Sequence, residues 1–452
     1  MRSITVLSRL SVFALSVSLL PVQVGAGTVS IATVGNGDME RMKTLSRHFE
    51  RDNPGTVLVW EVVNESVLRL MQSRDSKRDT PRFDVYTVGI LEASLWGQSG
   101  RLDAVPDGLA GSLAEHGWIP EVIRGFQVND RYFGLPFYGE SSITYYRKDV
   151  FERLGLNMPD RPQWSDIESL LSRMSRATDG ARGRICLRGK SGWGENMALF
   201  STMVNSFGGR WFDLKWQSTI HSQQWMNAIE FYLELQTRYG LETPWENGYS
   251  ESLSAFSNGD CDIWVDSTAA GGALAASEHY RNIGYRQAPY QETQTGANWL
   301  WAWGFSVPDR SSVKDEAWRF IEWATSEEYQ QLVAREYGIQ FVPPGTRHAL
   351  YENPDYLRYA SFAAPTIEAI QSTDFDNSSV QPIPYRGVQF VQSEEFQQVG
   401  NHVGGLLARA LEDYSDGVDP DLDDLLASAE EFSNAAHRIA RYLTERGIDT
   451  YE

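Results

Sequence analysis

The sequence predicts an α/β protein of two domains, or three. Apolar, β-branched runs alternate with segments of helical periodicity across short polar connections, the pattern of sheets covered by helices. The chain has 452 residues, enough for more than one core. Polar residues gather just beyond the strand-like runs, where open α/β sheets hold their ligands.

Residues 1–26 read as a cleavable signal peptide. Arg2 and Arg9 form a basic start, an apolar run follows from Leu10 to Leu20, and Val24-Gly25-Ala26 offers small residues for cleavage. The run is too short for a comfortable membrane span, and no Cys lies near the cleavage point to take a lipid anchor. The expectation is a periplasmic or secreted protein. Without Arg2 and Arg9, 38 of the 40 basic residues remain against 60 acidic ones. Such a surface argues against nucleic acid and anionic membrane as partners.

Residues 28–34 read as a buried strand. Asn36-Gly37-Asp38 turns the chain, and Met39, Met42, Leu45 and Phe49 recur at helical spacing, so a helix follows at once. Residues 56–63 are a second strand ending at Asn64-Glu65, and 83–88 a third ending at the Gly89-Ile90 turn. Asn129-Asp130 marks a hairpin. Ser165 and Glu168 have capping-box spacing for a helix through Leu170, Leu171 and Met174. Further helices are expected near 195–206, 223–239, 250–257 and 314–325. Asn36, Asp38, Glu65 and the 89–90 turn all fall at carboxyl ends of strands and group as one polar cluster.

Cys186 and Cys261 are the two cysteines, each beside a strand-like run. They form a disulfide in an oxidising compartment or stay as two buried thiols; the residues leave both open. Two Cys with no His at ligand spacing make no zinc site. There is no P-loop and no Rossmann glycine fingerprint, and no cofactor is expected.

Asn298-Trp299-Leu300-Trp301-Ala302-Trp303 places three indoles on alternate residues. In an extended stretch they share one face. Such a face seals a domain seam or stacks on the C–H faces of a sugar or polyol. Four other clusters mix aromatic, carboxylate, amide and guanidinium groups: 136–141 with Tyr138 and Glu140; 188–196 with Arg188, Trp193, Glu195 and Asn196; 264–268 with Asp266; and 384–387 with Tyr385. These groups suit the hydroxyls of a neutral polyhydroxylated ligand.

Several ordered strings resemble a known family: Ala32-Thr-Val-Gly-Asn-Gly-Asp-Met39, Phe83-Asp-Val-Tyr-Thr-Val-Gly89, Leu135-Pro-Phe-Tyr-Gly-Glu-Ser141, Cys186-Leu-Arg-Gly-Lys190, Gly192-Trp-Gly-Glu-Asn-Met197, the tryptophan run, and Val342-Pro-Pro-Gly-Thr346. The chain resembles the extracellular solute-binding proteins of bacterial ABC importers, within the carbohydrate-binding group, and looks most like the mannitol/sorbitol receptors. The likeness weakens after about Asp413.

The resemblance implies two α/β lobes (type II) joined by a multi-strand hinge, with the ligand between them. The lobes would be 27–138 with 304–342, and 139–303 with 343–452. It implies a monomer that delivers a small polyol or sugar to permease transmembrane subunits with a cytoplasmic ATPase. Carried over by position, Asn36, Asp38 and Glu65 would come from the first lobe, with Tyr138 and Glu140 at the first crossing. Arg188, Trp193, Glu195, Asn196 and Asp266 would come from the second lobe. Asn298, Trp299, Trp301 and Trp303 would lie at the second crossing, with one or two of the indoles in the cleft, and Tyr385 would close the site. Arg386 stands where a small apolar residue is expected; facing inward it would recruit a sugar acid, facing outward it would meet solvent. A secreted glycoside hydrolase, with Glu140 and Glu195 as a carboxylate pair, is the enzyme alternative. A sensor subunit would use the same binding chemistry.

Overall fold

The computed structural model describes residues 27–446 apart from 114–116, 276 and 278–279. The signal-peptide reading of 1–26 lies outside them. The ten strands among the described residues are β1 (Thr28–Val34), β2 (Val57–Val63), β3 (Val85–Gly89), β4 (Gln127–Val128), β5 (Arg131–Tyr132), β6 (Leu135–Arg147), β7 (Ile185–Cys186), β8 (Ile263–Ser267), β9 (Ile283–Gln287) and β10 (Leu300–Ser306). The hairpin expected at Asn129-Asp130 joins β4 to β5.

One curled sheet runs β2-β1-β3-β10-β6-β8-β7, with β9 also paired to β6. β1, β2 and β3 are parallel, and β10 inserts antiparallel between β3 and β6. β6 is 13 residues long and changes partner midway. Residues 135–141 pair with β10, and 142–147 pair with β8 and β9. A single strand thus carries the sheet from one lobe to the other, and β10 lies beside it at the seam. A third link passes nearby, where the Gly139 N–H donates to the Pro344 carbonyl at 2.9 Å.

Local chemistry explains the elements that face this seam. Asn36 caps the helix Gly37–Asp52 by accepting the Met39 N–H, and Met39, Met42, Leu45 and Phe49 are its buried stripe. Asn64 caps the helix Glu65–Asp75 in the same way. The helix Trp164–Ala177 is capped by Gln163 with Asp166, two residues before the expected Ser165 and Glu168 pair. Trp164 is the reason: its ring is fully buried and its backbone N–H donates to the Tyr290 carbonyl, so the helix begins there. Glu168 pairs instead with Arg238.

Cys186 and Cys261 form a disulfide, both fully buried, tying β7 to the start of β8. The helices Phe396–Ser415 and Leu422–Thr444 pack on the helices Asn196–Ser206 and Gln223–Tyr239 of the second lobe. No described helix is long and apolar enough to cross a membrane.

Candidate functional site

Strand alternation builds the floor of a cavity of about 580 Å³ between the lobes. Trp301 and Trp303 share one face of β10, Trp299 immediately precedes the strand, and all three line the cavity, more than the one or two expected. Register sets Trp301 beside Glu140 and Trp303 beside Tyr138 on β6, so these side chains join the same floor. The rings of Trp301 and Trp303 meet edge to face at 5.8 Å, and Trp193 meets Trp301 at 5.6 Å.

The first lobe supplies polar groups from its strand ends. Asn36 Nδ2 donates to the Tyr138 hydroxyl at 3.1 Å. Asp38 accepts from Arg41 Nη2 at 2.7 Å; burial still holds its carboxyl above the ordinary value. Glu65 accepts from Arg69 Nη2 at 2.7 Å. The Gly89-Ile90 turn is covered by Trp301 and does not line the cavity.

The second lobe answers with Arg188, Trp193 and Glu195. Arg188 is buried and donates to both oxygens of Asp266, at 2.5 to 3.1 Å, and to the Gly194 carbonyl at 2.8 Å. Burial works against its charge, and Asp266 outweighs that, leaving Arg188 above the usual guanidinium range. Its guanidinium lies 5.2 Å from the Tyr249 ring and 5.5 Å from Trp299. Glu195 accepts the Tyr249 N–H at 3.0 Å, and burial raises its carboxyl. Glu140, between the lobes, is pushed by burial up to about 7; its bond to Ser267 and the charge of Arg188 oppose that rise. Near neutrality it therefore both donates and accepts. The site offers aromatic faces and paired polar groups from two lobes, which can enclose a small polyhydroxylated molecule.

The bacterial extracellular solute-binding protein family matches residues 35–331. A mannitol-binding protein of Pseudomonas aeruginosa is 41% identical over 421 residues, 92% of this chain and 95% of that protein. The chain belongs to the bacterial extracellular solute-binding proteins. A solute-binding protein of an ABC transporter from Agrobacterium vitis S4, solved with bound D-mannitol, is 37% identical and superposes with a TM-score of 0.84, over 92% of this chain and 99% of that one. Maltose-bound MalE3 of T. maritima shares the fold at 18% identity and a TM-score of 0.74, over 90% and 99% of the two chains.

In this solute-binding protein four predicted site residues do not reach the cavity. Asn196 braces the 189–195 loop, donating to the Gly189 and Gly404 carbonyls at 3.2 and 2.9 Å. Asp266 stands behind Arg188 and is fully buried. Asn298 donates to the Ser142 carbonyl at 2.6 Å, away from the indole face. Tyr385 packs against Phe212 and Trp216, and its hydroxyl accepts the Trp211 N–H at 3.0 Å. Arg386 pairs with Asp376 and donates to the Arg124 and Gln127 carbonyls, outside the cavity. Sequence reasoning missed Arg41, Arg69, Tyr249 and Phe341, all cavity-lining. Arg41 and Arg69 carried a signal: each follows its acidic partner by one helical turn.

Proposed function

We propose that this protein is the periplasmic substrate-binding component of an ABC importer and that it takes a sugar alcohol, a hexitol such as D-mannitol. The observation that carries this reading is the cavity with the three indoles of 299–303 and paired carboxylate and guanidinium groups from both lobes. The mannitol-binding relative and the D-mannitol-bound neighbour support it. Trp299, Trp301 and Trp303 stack on C–H faces, while Asp38, Glu65, Glu140, Arg188 and Glu195 address hydroxyls, with Asn36, Tyr138 and Trp193 completing the wall.

Ligand touching both lobes lowers the closed arrangement relative to the open one, so binding drives closure by differential affinity. The lobes are 27–138 with 304–342 and 139–303 with 343–452; the change of partner along β6 and the bond from Gly139 to Pro344 support this division. Residues 1–26 direct export and are removed. The monomeric closed form delivers its ligand to permease subunits with a cytoplasmic ATPase, and no bond is made or broken in the ligand.

The test is a calorimetric titration of the chain from residue 27 with D-mannitol, D-sorbitol, D-arabinitol and maltose. Selective binding of the hexitols with compaction in solution scattering is expected. Binding of maltose in preference to every polyol would overturn the ligand assignment.

A further inference from the structure

Arg69 sits where three indoles and both lobes meet. Its guanidinium lies 4.5 Å from the Trp193 ring, 5.3 Å from Trp303 and 5.4 Å from Trp301. Nε and Nη2 donate to Glu65 Oε1 at 3.2 and 2.7 Å, and Nη1 pairs with Glu92. A guanidinium carries five N–H groups; Nη1 is enclosed, so these contacts leave the second N–H of Nη2 for a ligand at the cavity wall that Arg69 lines.

Glu92 itself is outside the cavity lining and is only 3% exposed. A buried carboxylate is costly unless it is paired and hydrogen-bonded. Its two partners come from opposite lobes. Arg69 belongs to the first, and Gln397 Nε2, from the helix Phe396–Ser415 of the second, donates to Glu92 Oε1 at 2.7 Å. Gly400 lies one turn further along that helix, against the Trp193 side chain. Separating the lobes would remove both Gln397 from Glu92 and Trp193 from Arg69.

We propose that Glu92 is a positioning residue, holding Arg69 against the ligand, and that its bond to Gln397 links the two lobes and favours the closed form. The inference rests on the polyol reading for its ligand. Arg69 thus becomes a specificity-determining group, held within the first lobe by Glu65 and Glu92, whose support is completed on closure when Gln397 meets Glu92 and Trp193 meets the guanidinium.

The test compares wild type, Gln397→Ala and Arg69→Lys for D-mannitol association and dissociation rates, with the interlobe distance of the unliganded proteins read by fluorescence energy transfer. Gln397→Ala removes a charge-assisted bond made in the closed form, so dissociation should quicken roughly tenfold while association stays within about twofold. Its unliganded lobe separation should shift wider. Arg69→Lys keeps the charge but loses the fork, and should lose affinity as well. A Gln397→Ala protein with wild-type dissociation and wild-type separation overturns the link. A lowered melting temperature with unchanged dissociation shows a merely structural contact and overturns it too. If wild type binds no polyol, the polyol reading fails, and the unliganded separation alone decides: wider in Gln397→Ala supports the link, unchanged overturns it.

Discussion

Trp301 lies directly against the backbone of Gly89, so closely that a Cβ on Gly89 would stand 2.0 Å from Cζ2 and 2.5 Å from Cη2 of the indole. The ring also meets Trp193, Trp303 and Phe390 edge to face. Gly89 therefore sets the depth of the cavity floor. Its φ is −80°, open to any residue, so Gly89→Ala adds no backbone strain and its effect belongs to the displaced indole. D-mannitol affinity is expected to fall at least about tenfold with the circular dichroism spectrum retained, by loss of stacking and shape. Calorimetry checks this; wild-type affinity would mean that Trp301 is no ligand surface.

Glu140 should make stability depend on pH. Burial raises its carboxyl from an ordinary value of 4.5 to about 7. Between those values the folded protein holds a proton that the unfolded chain has released, so stability falls as pH rises through that window and levels off above it. Arg188 faces the group and opposes the rise, while Asp266 and Glu65 add to it. A shift of that size corresponds to about 3 kcal/mol. Melting curves of the unliganded protein from pH 5 to 8 should slope downward, and Glu140→Gln should flatten most of that slope. Asp38 and Glu195 are raised by the same cause and leave a residual slope. Equal slopes in the two proteins would contradict the assignment.

Much of the first lobe was legible because its signals are local. Asn36 caps its helix three residues away, and the stripe from Met39 to Phe49 sits one or two turns further on. The indole face needed only the period of two along β10. What escaped the sequence depends on distant partners. Asn196 looks like a ligand group beside Trp193, yet Gly404, 208 residues later, claims it. Asn298 is taken by Ser142 and Tyr385 by Trp211, contacts 156 and 174 residues apart. Arg69 joins the site only because β10 brings Trp301 and Trp303 beside its helix.

The disulfide should stabilise the second lobe without shaping its ligand surface. Cys186 and Cys261 are 75 residues apart, and closing a loop of that length in the unfolded chain is worth up to about 4 kcal/mol. Neither residue lines the cavity. The double variant Cys186→Ala/Cys261→Ala should lose about 3 kcal/mol in denaturant titrations, yet bind D-mannitol within about threefold of wild type. A large loss of affinity at full folding would show that the bond also places Arg188, two residues beyond Cys186.

Charge should exclude acids from the cleft. Every cavity-lining cation named above already holds a carboxylate: Arg41 has Asp38 at 2.7 Å, Arg69 has Glu65 and Glu92, and Arg188 has Asp266 at 2.5 Å and Glu195 at 3.8 Å. A carboxylate ligand would enter beside Asp38, Glu65, Glu140 and Glu195 and would have to be desolvated against them. Arg386 offers no help, because it is held by Asp376 outside the cavity. D-gluconate should therefore bind at least about a hundredfold more weakly than D-mannitol in competition titrations, since burying an ill-paired charge costs several kcal/mol. Asp38→Asn frees Arg41 and should narrow that gap. Equal affinity for the acid and the alcohol in wild type would require one of the three arginines to release its partner, and the pairing described for the cleft would not survive that result.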